Sequence, residues 1–384
     1  MIMEFFLPDK IISGSNALES LPDYIKGFGK KALIVTGKTV STLPCFILLT
    51  ETLVRAQIEY EIFNDITGEP DDIMINAGVD CFKKSECDFL IAIGGGSPID
   101  AMKAIATLYC SGGKFSDYMG KEITGNLPKM VAIPTTAGTG SEVTQFTVIT
   151  DTATQVKMLL KGRCLVPNLA VVDGINTVSS PKSVTASTAL DALTHAVESY
   201  TSRKAQPLTD DLSLSAVRRI FRWLPVAYSD GMNLQARNEL SIAALEAGIS
   251  INNASVTIVH GMSRPIGALF HVPHGMSNAM LLPECMKFAC DGVYERFADM
   301  AKIIGIANSQ TPDKKAAEKF VNALKSLCLK CEVPSLLKYG INRKIFFDSM
   351  DKMADDALKS GSPANTIKKI TKEDILSIYA SLWD

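Results

Sequence analysis

Four short aliphatic runs punctuate the first half of the chain, and each ends at a glycine, proline or aspartate. They are Ala32–Thr36 before Gly37, Phe89–Ile93 before Gly94, Met130–Pro134, and Leu169–Asp173. Runs this short, apolar and β-branched read as strands buried on both faces. Helical patterns lie between them, over Ser41–Ala56, Ile73–Lys84 and Ile99–Tyr109. Strands that alternate with amphipathic helices demand a parallel sheet covered by helices on both sides. After Asp173 the strands stop. Val184–Thr201, Asp210–Tyr228, Asn233–His260, Gly275–Ala289 and Asp291–Ile304 all carry helical periodicity. The sequence therefore predicts an α/β domain over residues 1–176 and an all-helical domain over 177–384. No Gly/Ser linker separates them, so the expectation is close packing across a cleft.

A chain of 384 residues has the length of about two domains. Lys plus Arg number 39 and Asp plus Glu 41, a formal charge of −2. That balance argues against a nucleic-acid partner and against docking on anionic lipid. No run of apolar residues is long enough to span a bilayer. The opening residues, Met1 to Pro8, carry an acidic group and no basic stretch; they read as the approach to a first strand rather than a leader. Nine cysteines, odd in number and widely spaced, fit reduced thiols in a cytoplasm better than a disulfide scaffold. Cys328 and Cys331 form a lone CxxC without a second pair, which gives little support to a redox or metal role there.

Three segments carry chemistry. Gly94-Gly95-Gly96-Ser97-Pro98-Ile99-Asp100 follows a strand and opens a helix, with Lys103 one turn in. Glycines let the backbone approach a ligand, and the helix N-terminus offers unpaired N–H groups to a pyrophosphate. The same residues could make only a tight turn, with Ser97 and Asp100 as helix caps. Thr135-Thr136-Ala137-Gly138-Thr139-Gly140-Ser141-Glu142-Val143-Thr144 has the same placement and is dense in hydroxyls. Two such loops at the carboxyl ends of strands lie where open α/β sheets bind ligands. The third segment is set by scarcity. The chain has four histidines, and His260, His271 and His274 fall close together. The other, His195, stands four residues after Asp191, which puts both on one helix face. A carboxylate with imidazoles suits Zn²⁺ or Fe²⁺. His260 is expected to end one long helix and His274 to begin another, while His271 falls in the loop between them.

Taken together and in this order, these motifs resemble the iron-containing, or group III, alcohol dehydrogenases over nearly the whole chain. The resemblance implies a dehydroquinate synthase-like architecture, with a dinucleotide-binding α/β domain, an all-helical metal-binding domain and the active site between them. It implies that Asp191, His195, His260 and His274 hold one divalent metal, most often Fe²⁺ and sometimes Zn²⁺. It implies that Gly94, Gly95, Gly96, Ser97 and Asp100 take the pyrophosphate of NAD or NADP. Thr135, Thr136, Thr139 and Thr144 would line the adenosine and ribose, and Lys157 would reach the cofactor. The partner is then a small alcohol or aldehyde, and the family tendency is toward homo-oligomers, dimers or larger.

Two positions depart from the family pattern. Relatives often carry a histidine four residues after the third ligand; here it is Arg264, which cannot shuttle a proton near neutral pH. Arg264 is a candidate for a polar substrate, for the proton route, or for a plain salt bridge. Many NAD-preferring relatives carry an aspartate where this chain has Gly37. A carboxylate there bonds the ribose 2′-OH and repels a 2′-phosphate. Gly37, with Lys38 beside it, points to tolerance of NADP. The competing readings are a polyol dehydrogenase, a hydroxyacid–oxoacid transhydrogenase, a lyase of the dehydroquinate synthase kind, and a non-catalytic metal or nucleotide binder. The lyase would need several basic residues near the metal motifs, where only Arg264 and Lys204 stand.

Overall fold

The computed structural model describes residues 2–154 and 156–383. Their contacts group them into two compact units, one of residues 5–180 and one of residues 181–383 with 2–4. In the first unit the elements run β1 (Lys10–Ser13), α1 (Leu21–Tyr24), β2 (Lys31–Val35), α2 (Pro44–Arg55), β3 (Glu59–Phe63), α3 (Asp72–Lys84), β4 (Phe89–Gly94), α4 (Gly96–Ser111), β5 (Met130–Pro134), β6 (Phe146–Asp151), β7 (Val156–Lys161) and β8 (Leu169–Val172). Six strands form one sheet in the order β1-β8-β5-β4-β2-β3, every pair parallel. β6 and β7 form a separate antiparallel hairpin.

Side-chain alternation builds two cores from one sheet. Leu33 and Val35 of β2, Leu90 and Ala92 of β4 and Met130 and Ala132 of β5 pack on one face, with Ile75, Val79 and Phe82 of α3 and Ile105 of α4. Ala32 and Ile34, Ile91 and Ile93, and Val131 and Ile133 pack on the other, with Phe46, Leu49 and Leu53 of α2. Because successive residues point to opposite faces, a strand buried on both sides must be apolar throughout. β3 does not show that pattern. Its Glu59 to Phe63 run mixes charge with aromatics, and it is the edge strand beside β2.

The strand order also locates a crevice. From β2 the chain steps to the edge at β3, then returns to lay β4 on the other side of β2 and proceeds to β5. β2 and β4 therefore flank the point where winding reverses, and ligands of open α/β sheets bind beyond the carboxyl ends of such strands. Gly37 follows β2, and Gly94–Ser97 follows β4.

The second unit is helical: α5 (Lys182–Tyr200), α6 (Pro207–Ser229), α7 (Leu234–Asn253), α8 (Ile258–Phe270), α9 (His274–Ala289), α10 (Tyr294–Ile303), α11 (Asp313–Lys330), α12 (Leu336–Tyr339), α13 (Arg343–Lys359) and α14 (Lys372–Ser381). α5 packs against α6, α7 and α9, and its residues from Ala189 to Tyr200 are all buried. A helix covered on all sides is the core of its unit. The expected single helix over Asn233–His260 is two helices, broken at residues 254–257. His260 thus lies in the first turn of α8 and does not end a long helix. Among the described residues, no single helix is long and apolar enough to cross a membrane.

Candidate metal centre and nucleotide loops

The metal-ligating candidates come from three helices of the helical unit. Asp191 and His195 sit one turn apart on α5, His260 opens α8, and His274 is the first residue of α9. Glycine follows both of the latter histidines, for reasons of space. A Cβ on Gly275 would meet the carbonyl of Ser187 at 2.5 Å, so only glycine lets α9 approach α5 there. A Cβ on Gly261 would meet Pro363 at 2.6 Å.

The result is a tight constellation. One donor atom each from Asp191, His195 and His260 lies within 4.8 Å of the others, and all three residues are buried. From Asp191 Oδ1 it is 3.9 Å to Nε2 of His195, 3.7 Å to that of His260 and 3.7 Å to that of His274. The rings of His195 and His260 stack, with centroids 4.7 Å apart. The His274 side chain is 42% exposed against 3–6% for the others, so it stands on the open side of the set. Tetrahedral bonds of about 2.1 Å require donors about 3.4 Å apart. One carboxylate and three imidazoles at this spacing therefore fit a divalent metal. His271, by contrast, is exposed, with φ 54°, and forms the left-handed C-cap of α8.

Asp191 and His260 already tend toward the charge states a metal requires. Burial alone would raise the Asp191 carboxyl, but His195, His274 and His260 around it pull it below its ordinary value of 3.8. Burial, with its imidazole neighbours, holds His260 well below 6.5 and hence neutral. A metal binds the ionised carboxylate and the neutral ring.

Two residues at this centre escaped the sequence reading. Glu198, fully buried on α5, places Oε2 2.5 Å from Nδ1 of His260, while Oε1 accepts from Thr257 Oγ1 at 2.8 Å and from the Val259 N–H at 2.6 Å. It caps the first turn of α8, which is why that helix starts anew after the break. Asn278 on α9 donates from Nδ2 to Asp191 Oδ1 at 2.7 Å, and the same nitrogen lies 3.1 Å from Nε2 of His260 and 3.2 Å from Nε2 of His274. The only advance signals were spacing: Glu198 is three residues beyond His195, and Asn278 four beyond His274. Arg264 lies one turn beyond His260 on α8, half-buried, with no hydrogen bond or ion pair among the described residues. Burial lowers its pKa, against the upward pull of the Glu198 carboxylate.

In the α/β unit the two loops touch. A Cβ on Gly96 would meet the Thr139 side chain at 2.9 Å, and one on Gly95 would lie 3.5 Å from Thr136. Gly95, Gly96 and Ser97 are partly exposed at the start of α4, a helix whose N-cap, Gly95, offers no side chain to its free N–H groups. Gly94, at φ 155°, turns the chain out of β4, and the Thr135 N–H donates to its carbonyl. Thr136 and Thr139 remain half-exposed beside these glycines.

Asp100 and Thr144, expected along the cofactor, turn into the protein instead. Asp100 accepts from Ser141 Oγ and the Val148 N–H. Lys103 Nζ, wholly buried, donates to Ser141 Oγ, to Thr144 Oγ1 and to the carbonyls of Thr144 and Phe146. These contacts bind the threonine loop to α4. A carboxylate is also a poor neighbour for a phosphate. Lys157, on β7, is exposed and paired with Glu69 at 2.6 Å. Gly37 has a steric reason: a Cβ there would meet the carbonyl of Ile66 at 2.8 Å. Lys38 beside it is ion-paired with Asp65 at 3.5 Å. The CxxC cysteines are buried free thiols, pushed up by burial to about 12 for Cys328 and about 11 for Cys331.

Comparison with known proteins agrees with this geometry. Residues 8–174 match the model of the iron-containing alcohol dehydrogenase family, and residues 185–383 match that of its C-terminal domain. A 1,3-propanediol dehydrogenase of Klebsiella pneumoniae is 35% identical, with 98% of each chain covered. An NADPH-dependent butanol dehydrogenase of Clostridium saccharobutylicum is 34% identical, covering 100% of this chain and 98% of the relative. Among solved structures, a 1,3-propanediol oxidoreductase superposes with TM-score 0.96 at 34% identity, over the full length of both chains.

Proposed function

The chain belongs to the iron-containing alcohol dehydrogenase family, and from that premise we propose an assignment of its residues. As a member it is a metal-dependent NAD(P) oxidoreductase of alcohols and aldehydes. In our reading Asp191, His195, His260 and His274 hold one divalent metal, Fe²⁺ in first place. The observation that carries it is the buried carboxylate and paired imidazoles within 4.8 Å of one another. When bound, the metal supplies Lewis-acid polarisation of an alcohol or carbonyl oxygen, and the nicotinamide supplies the hydride chemistry.

The chain's own residues do the rest. Asp191 offsets the ion's charge, and the three imidazoles offer neutral lone pairs. The Gly95–Ser97 backbone at the start of α4 takes the pyrophosphate, with Thr136 and Thr139 alongside. Arg264 takes a polar group of the substrate, since a half-buried guanidinium with no hydrogen bond among the described residues seeks an acceptor. It cannot accept a proton, so no side chain at that position relays one. A hydroxylated substrate suits this arrangement, a short diol or hydroxyaldehyde, and relatives named for 1,3-propanediol support that choice. Gly37, which removes a carboxylate from the ribose position, supports use of NADP as well as NAD. The nine free thiols support a reducing cytoplasm, and the working form is proposed to be a homo-oligomer.

The test is nicotinamide oxidation by Fe²⁺-reconstituted protein, with NADH and NADPH in parallel, against propanal, butanal and a hydroxyaldehyde. Metal-dependent turnover, fastest with the hydroxyaldehyde, is expected. Protein holding one metal that turns over none of them would overturn the substrate assignment.

A further inference from the structure

Glu198 does something that capping a helix does not require. Its Oε1 is engaged by donors from Thr257 and Val259, and the His260 N–H lies 3.4 Å away. Its other oxygen, Oε2, lies 2.5 Å from Nδ1 of His260. On the far side of that ring, Nε2 faces the Asn278 amide nitrogen at 3.1 Å. The orientation of that amide is dictated by Asp191, which can only accept, so it is Nδ2 and not Oδ1 that points into the set. One N–H of Nδ2 goes to Asp191 and leaves the other for Nε2 of His260 or of His274, 3.2 Å away. With the Glu198 carboxylate 2.5 Å from Nδ1 as acceptor and a donor facing Nε2, the single ring proton of His260 belongs on Nδ1.

We infer that Glu198 is the positioning residue that makes His260 a metal ligand, by holding the ring proton on Nδ1 and aiming the Nε2 lone pair at Asp191, His195 and His274. This rests on the metal reading above. It also explains why a carboxylate is needed and a carboxamide would not serve. A carboxylate accepts on both oxygens. In Glu198→Gln one side must become an N–H₂. If Gln keeps its oxygen for Thr257 and Val259, its nitrogen confronts Nδ1, drives the ring proton to Nε2 and closes the lone pair to the metal. Partners of this kind typically change metal affinity by about 10–100-fold.

The experiment strips wild type and Glu198→Gln with a chelator and titrates each with Co²⁺ alone. It reads affinity by competition and the ligand field from the visible absorption of the bound ion. The expected result is wild type binding one Co²⁺, with affinity lowered about 10–100-fold in Glu198→Gln and an altered Co²⁺ spectrum. Glu198→Gln binding within about threefold of wild type with the same spectrum overturns the inference and leaves the metal site standing. Wild type that takes up no Co²⁺ overturns the metal reading, and the inference with it. A second measurement needs no variant. In ¹⁵N-histidine-labelled metal-free wild type, the His260 ring is expected as the Nδ1–H tautomer, and an Nε2–H ring overturns the inference.

Discussion

In the proposed assignment the nucleotide site is made of backbone, and the metal site is made of side chains. The glycine loop presents N–H groups at the start of α4, and its essential residues, Gly94 to Ser97, are consecutive. The metal set gathers Asp191, His195, His260 and His274 from three helices, with two glycines and a buried glutamate behind them. A site made of backbone is specified by local conformation, so it survives many changes of side chain and fails when a Cβ intrudes. A site made of side chains is specified by packing, so it fails when one donor, or the residue that orients it, is lost.

The sharpest way to break the comparison is His260→Ala. Metal content should fall to near zero. Activity should fall by roughly 10³-fold or more, since several kcal/mol of Lewis-acid stabilisation is removed and about 1.4 kcal/mol is worth tenfold. NADPH binding, followed by its fluorescence, should stay unchanged. An active, metal-free protein would defeat the assignment. The reciprocal change is Gly96→Val, which drives a branched side chain into Thr139. Nucleotide affinity should fall about tenfold, equivalent to about 1.4 kcal/mol, with full metal content. Loss of metal in this variant would show that the two sites are not separable.

A third prediction concerns the buried charges that hold the threonine loop. Burial pushes the Glu142 carboxyl from 4.5 up to about 7, and pushes Lys103 from 10.5 down to about 8. Folded Glu142 keeps a proton that the unfolded chain has lost, so its burial weakens the fold as pH rises from about 4.5 to about 7. Between about pH 8 and 10.5 the unfolded chain carries the extra proton on Lys103, so stability recovers with rising pH. Glu142→Gln should flatten the lower slope, a difference on the order of 3 kcal/mol across it. Chemical denaturation at pH 5 and pH 7.5 measures this; equal slopes in wild type and variant would remove Glu142 as the cause. The smallest effect is expected from Lys38→Ala. Loss of the exposed pair with Asp65 should cost less than about 1 kcal/mol of stability. Steady-state kinetics with each cofactor should show a shift of a few-fold toward NAD.

The same contrast explains what could be read in advance. β2, β4, β5 and β8 are buried on both faces, so each announces itself as an unbroken apolar run. β3 is an edge strand carrying Glu59 and Glu61, and it gives no such signal. The four candidate ligands are legible because histidine is scarce and one pair has helical spacing. Glu198 and Asn278 are not, because what they do depends on how α5, α8 and α9 meet. The break between α7 and α8 was hidden for the same reason: the carboxylate that caps the new helix lies 59 residues upstream of Thr257. The motifs place Asp100 and Thr144 near the cofactor but give no sign of their contacts within the protein. Those contacts are with Ser141, Val148 and Lys103.

The placement of β1 and of the ligands also sets a timetable for synthesis. A ribosome releases the chain from its N-terminus, and domains tend to fold as they emerge. β1 must wait for β8, so the sheet closes only once residues 169–172 are out. The first ligand, Asp191, follows within about 20 residues, but the last, His274, comes roughly 80 residues later, several seconds at usual elongation rates. For that interval the nascent protein has made its glycine and threonine loops but lacks at least one of the four proposed metal ligands. The proposed ligand set is therefore complete only after the α/β half has emerged.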